Sequence, residues 1–242
     1  MTARTDDRLR AAATTVNAER PSGSDRPALP FAADTASPTG AAAAVSAAQE
    51  TFGGIDVVVN CVGRSDRGQI QTLEVDHLES LFRANLYSSL HLSQQAMDAL
   101  SATKGSIIHV GSLASKVAPR MLGGYCVAKH AQDALVFQQR AEWRSKGIHV
   151  GYLCPGPIAR EDAGQRYAER AEGLPPSVSS PGGGTKVRGL RPEKVAATAL
   201  RMIDRRVPEI ILPGYLRPLI AAGQLSPRFG IWLLDRFTRD SS

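Results

Sequence analysis

Cysteine and aromatic residues are scarce in this chain, whose 242 residues include three cysteines and 5% aromatic side chains. Three scattered cysteines, Cys61, Cys126 and Cys154, exclude a disulfide framework, and no His/Cys cluster has the spacing of a zinc site. No apolar run approaches the roughly 18–20 residues of a membrane-spanning helix, and the first residues form no apolar secretory segment. These absences favour a reduced, metal-free protein with a cytoplasmic location.

The remaining composition is that of a globular protein with a mildly basic surface. The chain has 43% hydrophobic side chains, and 29 Lys+Arg against 23 Asp+Glu give a formal net charge of +6. The basic residues are spread along the sequence, without the dense Lys/Arg block or interleaved aromatics of a nucleic-acid surface. We therefore expect one domain over residues 1–242, a solvated basic surface and no nucleic-acid partner.

Short β-branched apolar runs alternate with long helical stretches after residue 50. We predict strands at 55–61, 106–111, 147–154 and 209–212, and helices at about 76–100, about 124–146 and from Arg191-Pro192 onward. This alternation predicts an α/β fold with a doubly wound, Rossmann-like parallel sheet. A segment rich in Pro, Ser and Gly at 160–190 interrupts it. We interpret this segment as a mobile substrate loop, with a tolerated surface insertion as the alternative.

Four polar residues have a spacing that suits proton transfer. Tyr125 and Lys129 are four residues apart on a predicted helix, so their side chains share a face, and a nearby ammonium favours the phenolate form of tyrosine. Ser112 ends a buried strand 13 residues before Tyr125, and Asn85 lies 27 residues before Ser112. Taken singly, Ser112 suits a strand-end cap and Asn85 a polar group within a helix. Taken together, the four residues indicate one site.

This constellation resembles the short-chain dehydrogenase/reductase family. Asn60-Cys61-Val62-Gly63 stands where the family has Asn-Asn-Ala-Gly, and Pro155-Gly156-Pro157-Ile158 matches its Pro-Gly-x-Ile/Val. The likeness is close over 55–160 and holds in outline over 1–54 and 186–215. It implies an oxidoreductase that interconverts an alcohol and a carbonyl by hydride transfer, acting on a small molecule that the sequence does not identify.

The resemblance implies a role for each residue of the constellation. Tyr125 would be the acid/base that exchanges a proton with the substrate oxygen, and Ser112 would hydrogen-bond that oxygen. Lys129 would hold the nicotinamide ribose and lower the pKa of Tyr125, while Asn85 would position a water in the proton relay. The same likeness implies cofactor contacts from Arg4, Asp34, Asn60, Gly63, Tyr125, Lys129, Pro155, Gly156 and Ile158.

The N-terminal part bears on the choice of cofactor. By the same resemblance, the expected elements are a strand ending at Thr2-Ala3-Arg4, a helix from Asp6 to about Ala18, a strand at 28–32 and a helix from Ser37-Pro38 to Glu50. Arg4 lies beside the position where relatives that prefer NAD place an acidic residue. A guanidinium there suits the 2′-phosphate of NADP, so we expect NADP, with NAD as the alternative.

The family's glycine-rich turn, Thr-Gly-x-x-x-Gly-x-Gly, is absent from the sequence. In the family this turn and the helix after it receive the cofactor pyrophosphate. We therefore expect either an N-terminally incomplete version of a longer protein or a degenerate relative. Without the strand that precedes the turn, we also expect 55–61 to expose one edge and the strand at 28–32 to lack a partner.

The C-terminal extension, residues 216–242, is apolar and basic and contains Ile231-Trp232-Leu233-Leu234. It suits packing on its own domain, a subunit interface or an amphipathic helix on a membrane surface. By resemblance we expect a homo-oligomer, a dimer that pairs through the helices of Asn85 and Tyr125. The alternative function is a catalytically silent relative that acts through subunit or membrane-surface association.

Overall fold

The computed structural model describes residues 1–20, 26–159, 167, 171–180 and 182–238. The strands are β1 (Thr2–Ala3), β2 (Phe31–Ala32), β3 (Val57–Asn60), β4 (Ser106–Val110), β5 (His149–Pro155) and β6 (Glu209–Leu212). The helices are α1 (Asp6–Ala18), α2 (Pro38–Phe52), α3 (Val75–Phe82), α4 (Ser88–Thr103), α5 (Gly124–Trp143), α6 (Pro192–Arg205), α7 (Leu216–Leu225) and α8 (Pro227–Phe237). A π-helical segment, Arg83–Tyr87, joins α3 and α4 into one helical stretch.

Four strands form a parallel sheet in the order β3-β4-β5-β6, as the alternation predicts. β1 and β2 form a separate two-stranded parallel sheet. The expectation that the strand at 28–32 lacks a partner is therefore wrong, and this strand is shorter than predicted. Backbone hydrogen bonds join it to β1, since the Phe31 N–H donates to the Met1 carbonyl at 2.9 Å and the Ala33 N–H donates to the Ala3 carbonyl at 3.0 Å.

β3 forms one edge of the four-stranded sheet. Within the described ranges no strand pairs with β3 on the side away from β4, and Val57 and Val59 are 39% and 45% exposed. α2 contacts both α4 and β2, so this helix connects the two sheets. It begins as predicted, because the Ser37 hydroxyl accepts a hydrogen bond from the Gly40 N–H at 3.0 Å and Pro38 occupies the first turn.

The core lies on both sides of β4 and β5, the two central strands. Leu100, Ile107 and Tyr152 are fully buried, and every residue of β5 is buried. Burying such apolar side chains contributes about 1.5–3 kcal/mol each. Because β3, β4 and β5 are parallel, their carboxyl ends meet at one edge, where open α/β sheets bind ligands. Among the described helices, none combines the length and the apolar character needed to cross a bilayer.

We predict that Gly111→Ala lowers the free energy of unfolding by roughly 1–3 kcal/mol. A Cβ at Gly111 would clash with the ring of Tyr152, which is fully buried and has no room to move aside. Urea denaturation measures the change. Gly54→Ala is the matched control, since a Cβ at Gly54 meets nothing within 4 Å. We expect it to change stability by less than about 0.5 kcal/mol; equal effects of the two substitutions would contradict this packing.

Candidate active site

The predicted site residues Ser112, Tyr125 and Lys129 line one cavity of about 760 Å³ at the carboxyl edge of the sheet. Ser112 follows β4, and Tyr125 and Lys129 lie in the first two turns of α5. Further predicted cofactor residues line the same cavity, namely Gly63 after β3 and Pro155, Gly156 and Ile158 at and after the end of β5. The structure therefore brings the central predicted residues together around one space.

Ser112 acts as the cap of a short 3₁₀ turn, Leu113–Ser115, and also faces the cavity. Its Oγ accepts a hydrogen bond from the Ala114 N–H at 3.1 Å, and its own N–H donates to the Ser115 Oγ at 3.2 Å. The two interpretations from the sequence, strand-end cap and site residue, are therefore compatible. The cap uses Ser112 Oγ as an acceptor, which leaves its hydroxyl hydrogen to be donated to another oxygen.

Burial shifts the pKa values of Tyr125 and Lys129 in opposite directions. It raises the pKa of Tyr125 to about 12, with the nearby Ser112 hydroxyl partly opposing the shift. It lowers the pKa of Lys129 to about 8. The Lys129 Nζ lies 5.9 Å from the centroid of the Tyr125 ring. The expected lowering of the Tyr125 pKa is thus not seen in this structure, because removal of the phenolate from water outweighs the opposing effects of the Ser112 hydroxyl and a nearby guanidinium. A pKa of about 12 keeps the Tyr125 hydroxyl protonated at neutral pH.

The hydrogen-bond partner of Lys129 is a residue that the sequence analysis missed. The Lys129 Nζ donates to Gln132 Oε1 at 2.8 Å, and Gln132 Nε2 donates to the Ser89 Oγ at 2.7 Å. The sequence does contain a signal for this partner, because Gln132 is a polar residue three positions after Lys129 on the same predicted helix. Asn60 joins the same network, because its Nδ2 donates to the Ser89 Oγ at 2.9 Å. Asn60 is buried and does not line the cavity, so it supports the loop that does.

Asn85 lies in the π-helical segment and is fully buried. Its Nδ2 donates to the carbonyls of Arg64 and Leu81 at 3.0 and 2.9 Å, and its Oδ1 accepts from the Arg64 N–H at 3.1 Å. A Cβ at Gly63 would lie 3.0 Å from this Oδ1 and 3.4 Å from the Lys129 Nζ. Asn85 therefore fixes the loop after β3 against Lys129; a role in holding a water stays a prediction.

Arg4 and Asp34 lie apart from this cavity, near the carboxyl ends of β1 and β2. Both are exposed, and Asp34 Oδ1 accepts a hydrogen bond from the Ala36 N–H at 3.1 Å in the turn before α2. The predicted cofactor residues thus form two groups. One group surrounds Lys129 on the four-stranded sheet, and the other is carried by the two-stranded sheet.

Part of the predicted substrate loop at 160–190 forms a wall of the cavity. Residues 160–166, 168–170 and 181 lie outside the described residues, while Tyr167 and Val187 line the cavity. A buried arginine that the sequence analysis missed, Arg67, holds this wall. Its Nε and Nη2 donate to the carbonyls of Val178 and Ser180 at 2.6 and 3.0 Å, and its guanidinium lies 3.9 Å from the centre of the Tyr167 ring.

The C-terminal extension forms two helices, and both contribute to the cavity. Leu216 and Ile220 of α7 join the main hydrophobic core, so this helix packs on its own chain. Leu234 and Phe237 of α8 line the cavity. Sequence patterning identified the apolar character of this segment, but it did not identify its contact with the site.

Comparison with known proteins agrees with this geometry. The model of one protein family, described as short chain dehydrogenase, matches residues 1–171. Inactive 2-(S)-hydroxypropyl-CoM dehydrogenase 2 of Xanthobacter autotrophicus is 31% identical over 135 residues, which are 55% of this chain and 59% of that protein. NADPH-dependent 3-dehydrocapnine reductase of Ornithobacterium rhinotracheale is 33% identical over 113 residues, which are 45% of this chain and 40% of that protein. The match therefore spans about half the length of these relatives.

A solved structure gives the same fold. An alcohol dehydrogenase from Thermococcus sibiricus, complexed with 5-hydroxy-NADP, has a TM-score of 0.69 at 23% identity. The superposition covers 87% of this chain and 83% of that chain. The Rossmann-like parallel sheet predicted from the sequence is thereby confirmed.

We predict that Lys129→Met raises the free energy of unfolding at pH 7 by about 1–3 kcal/mol, because it removes a buried charge and keeps the side-chain volume. The pKa of Lys129 is about 8 in the fold against an ordinary 10.5. Below pH 8 both folded and unfolded chains carry the proton, and the fold bears the full cost of burying it. Between pH 8 and 10.5 the folded chain loses the proton first, so the wild type regains stability with rising pH.

The difference in the free energy of unfolding between Lys129→Met and the wild type should therefore decrease from pH 8 upward. Urea unfolding at a series of pH values measures it. Gln132 keeps a partner in the variant, since the Tyr152 hydroxyl donates to its Oε1 at 3.3 Å. Lys146→Met, at an exposed position, is the control and should show no such pH-dependent gap. A gap that is constant with pH would contradict the buried-charge account.

Proposed function

Because the chain belongs to the short-chain dehydrogenase family, we propose that it is an NADP-preferring oxidoreductase that interconverts an alcohol and a carbonyl. The observation that carries this proposal is the convergence of Ser112, Tyr125 and Lys129 on one cavity. A proton donor, a hydroxyl and an ammonium on one side of a ligand-sized space suit the reduction of a carbonyl group.

The nicotinamide cofactor supplies a hydride when it is bound, and the protein handles the proton. As the hydride joins the carbonyl carbon, the electron pair of the C=O π bond moves to oxygen, and that oxygen takes the proton of the Tyr125 hydroxyl. The alcohol would leave with this proton, and the Tyr125 phenolate that remains would take a proton from water before the next turnover. The Ser112 hydroxyl donates to the same oxygen and holds it beside Tyr125, and the reverse sequence oxidises an alcohol.

The residues around Lys129 fit the nicotinamide end of the cofactor. Gly63 leaves open the space beside the Lys129 Nζ that a Cβ would enter, and the Lys129 ammonium suits the ribose hydroxyls. Pro155, Gly156 and Ile158 bound the same space at the end of β5, where we propose that they contact the nicotinamide. The family's glycine-rich turn, which receives the pyrophosphate, is absent from this sequence.

The preference for NADP rests on Arg4. This guanidinium is exposed at the carboxyl end of β1, where it suits a 2′-phosphate, and we propose that Asp34 beside it contacts the adenosine part. The relative from Ornithobacterium rhinotracheale has a name that specifies NADPH. Equal affinity for NADPH and NADH would contradict this preference.

The proposed partners include a second copy of the chain and a lipid surface. Phe137 on α5 is 71% exposed, which supports a homodimer that pairs through this helix and α4.

On α8, the rings of Phe229 and Trp232 stack at 5.5 Å on the exposed side, close to Arg228 and Arg236. Exposed aromatic rings among basic residues suit a cytoplasmic protein that binds peripherally to an anionic membrane surface.

The second candidate function is that of a catalytically silent member of the family. The name of the similar protein from Xanthobacter autotrophicus, which describes that protein as inactive, favours this candidate. Under this alternative the chain associates with subunits or a membrane and does not turn over a carbonyl compound. Cofactor binding followed by turnover separates the two functions.

We predict that the chain binds NADPH more tightly than NADH, and that its melting temperature rises with NADPH, since a ligand of the folded state raises stability. Tyr125→Phe should keep NADPH binding and lose about 10²–10⁴-fold in the rate of carbonyl reduction, because it removes the proton donor. Tyr215→Phe, at an exposed position, is the matched control. Binding without any turnover would support the silent alternative, and turnover that survives Tyr125→Phe would contradict the assigned acid.

We also predict that vesicles containing anionic lipid shift the fluorescence emission of Trp232 to shorter wavelength, because the indole moves into a less polar environment. Trp143, the second tryptophan, is buried and should not respond. Added salt should weaken binding, since screening reduces the attraction of the basic residues. The shift should be absent in Trp232→Phe, while Leu200→Asn on α6 should behave as wild type. Failure of the chain to sediment with anionic vesicles would contradict membrane contact.

A further inference from the structure

The helix α8 has apolar side chains on two faces, and none of its residues is buried. One face carries Phe229 and Trp232 and is exposed. The opposite face carries Gly230, Leu234 and Phe237, which line the cavity and are half-buried. The inner face therefore meets open space where a packed helix would meet protein.

Contacts at both ends hold α8 in this position without burying it. At its start, α8 approaches α7 closely, since a Cβ at Gly230 would lie 2.7 Å from the Gly223 carbonyl oxygen. At its end, the Lys186 N–H donates to the Phe237 carbonyl at 2.8 Å, and Arg120 lies 3.3 Å from Asp235. The cavity beneath α8 is thus bounded by a fixed wall.

Most of the remaining lining is also hydrocarbon, with Thr185, Gln224 and Thr238 as its polar members. Val117, Leu122, Val187 and Leu219 line it together with the inner face of α8. The charged group of Lys116, which also reaches the cavity, is already paired with Asp133 at 2.8 Å and Glu209 at 2.7 Å. The hydrogen-bonding groups Ser112 and Tyr125 lie at the sheet edge, so the cavity has a reactive polar end and an apolar body.

We propose that the substrate is a hydrophobic carbonyl compound or alcohol with an extended hydrocarbon body. Its oxygen would lie between Ser112 and Tyr125, and its hydrocarbon body would fill the space against Leu219, Leu234 and Phe237. An apolar body gains free energy by leaving water for these walls, whereas a polyhydroxylated substrate would have more hydroxyls than these few polar side chains can satisfy. The chemistry of this inference rests on the proposed function, and the apolar binding site rests on the cavity alone.

The first test is the reduction of a series of methyl ketones, from butan-2-one to decan-2-one, with NADPH. We expect kcat/KM to rise about fourfold for each added methylene until the apolar space is filled. Dihydroxyacetone, a small polar ketone, should be reduced poorly. Leu234→Asn and Leu219→Asn should reduce the increase in kcat/KM per added methylene. Leu200→Asn, at a 63% exposed position outside the cavity, is the matched control and should keep it.

The second test measures the binding of the same ketones by calorimetry, without cofactor, to the wild type and to Leu234→Asn. Affinity that rises with the length of the ketone and falls in Leu234→Asn supports the apolar site. If the same ketones bind but are not turned over, the proposed function fails and the apolar site stands. Equal kcat/KM for butan-2-one and decan-2-one overturns the substrate class and leaves the proposed function standing. Absence of both binding and turnover overturns both.

Discussion

The buried ammonium of Lys129 is the constraint on which the arrangement of the site depends. A charge inside a protein is costly unless it is hydrogen-bonded, and Lys129 is 2% exposed with its Nζ bonded to Gln132. Gln132 donates to Ser89, which also accepts from Asn60, so the charge connects α5, α4 and β3. Tyr125 lies one turn earlier on the same helix as Lys129. The network that satisfies the lysine therefore also fixes the tyrosine relative to the ends of the strands.

The parts of the fold that the sequence predicts are those with local causes. α2 begins at a serine cap followed by proline, because this start depends on neighbouring residues. The bounds of α1, Asp6–Ala18, agree with the expectation that came from the family resemblance. β2 is two residues long against an expected five, since its length depends on the short strand β1 that pairs with it. Gln132 and Ser89 are 43 residues apart, and Arg67 is 111 residues from the Val178 carbonyl. Such contacts follow from tertiary packing, which no local pattern in a single sequence reports.

The two groups of proposed cofactor residues have different structural supports. Those near Lys129 depend on β3, β5 and α5, and their positions do not require the glycine-rich turn. Arg4 and Asp34 depend on the two-stranded sheet, which α2 connects to α4. A dinucleotide that contacts both groups would link the two sheets through the ligand. Cofactor binding would then stabilise the N-terminal sheet as well as the site, because any ligand held by both sheets favours the state in which both are in place.

The two faces of α8 support separate proposals that share one physical cause. Both faces are apolar and incompletely buried, so each gains free energy when water leaves it. The outer face, with Phe229 and Trp232, suits a lipid surface, and the inner face, with Leu234 and Phe237, suits a hydrocarbon ligand. A hydrophobic substrate is concentrated in membranes because the same transfer free energy that favours the cavity favours the bilayer. A helix that touches both would place the cavity next to the phase in which such a substrate is most abundant, and substitutions on opposite faces separate the two effects.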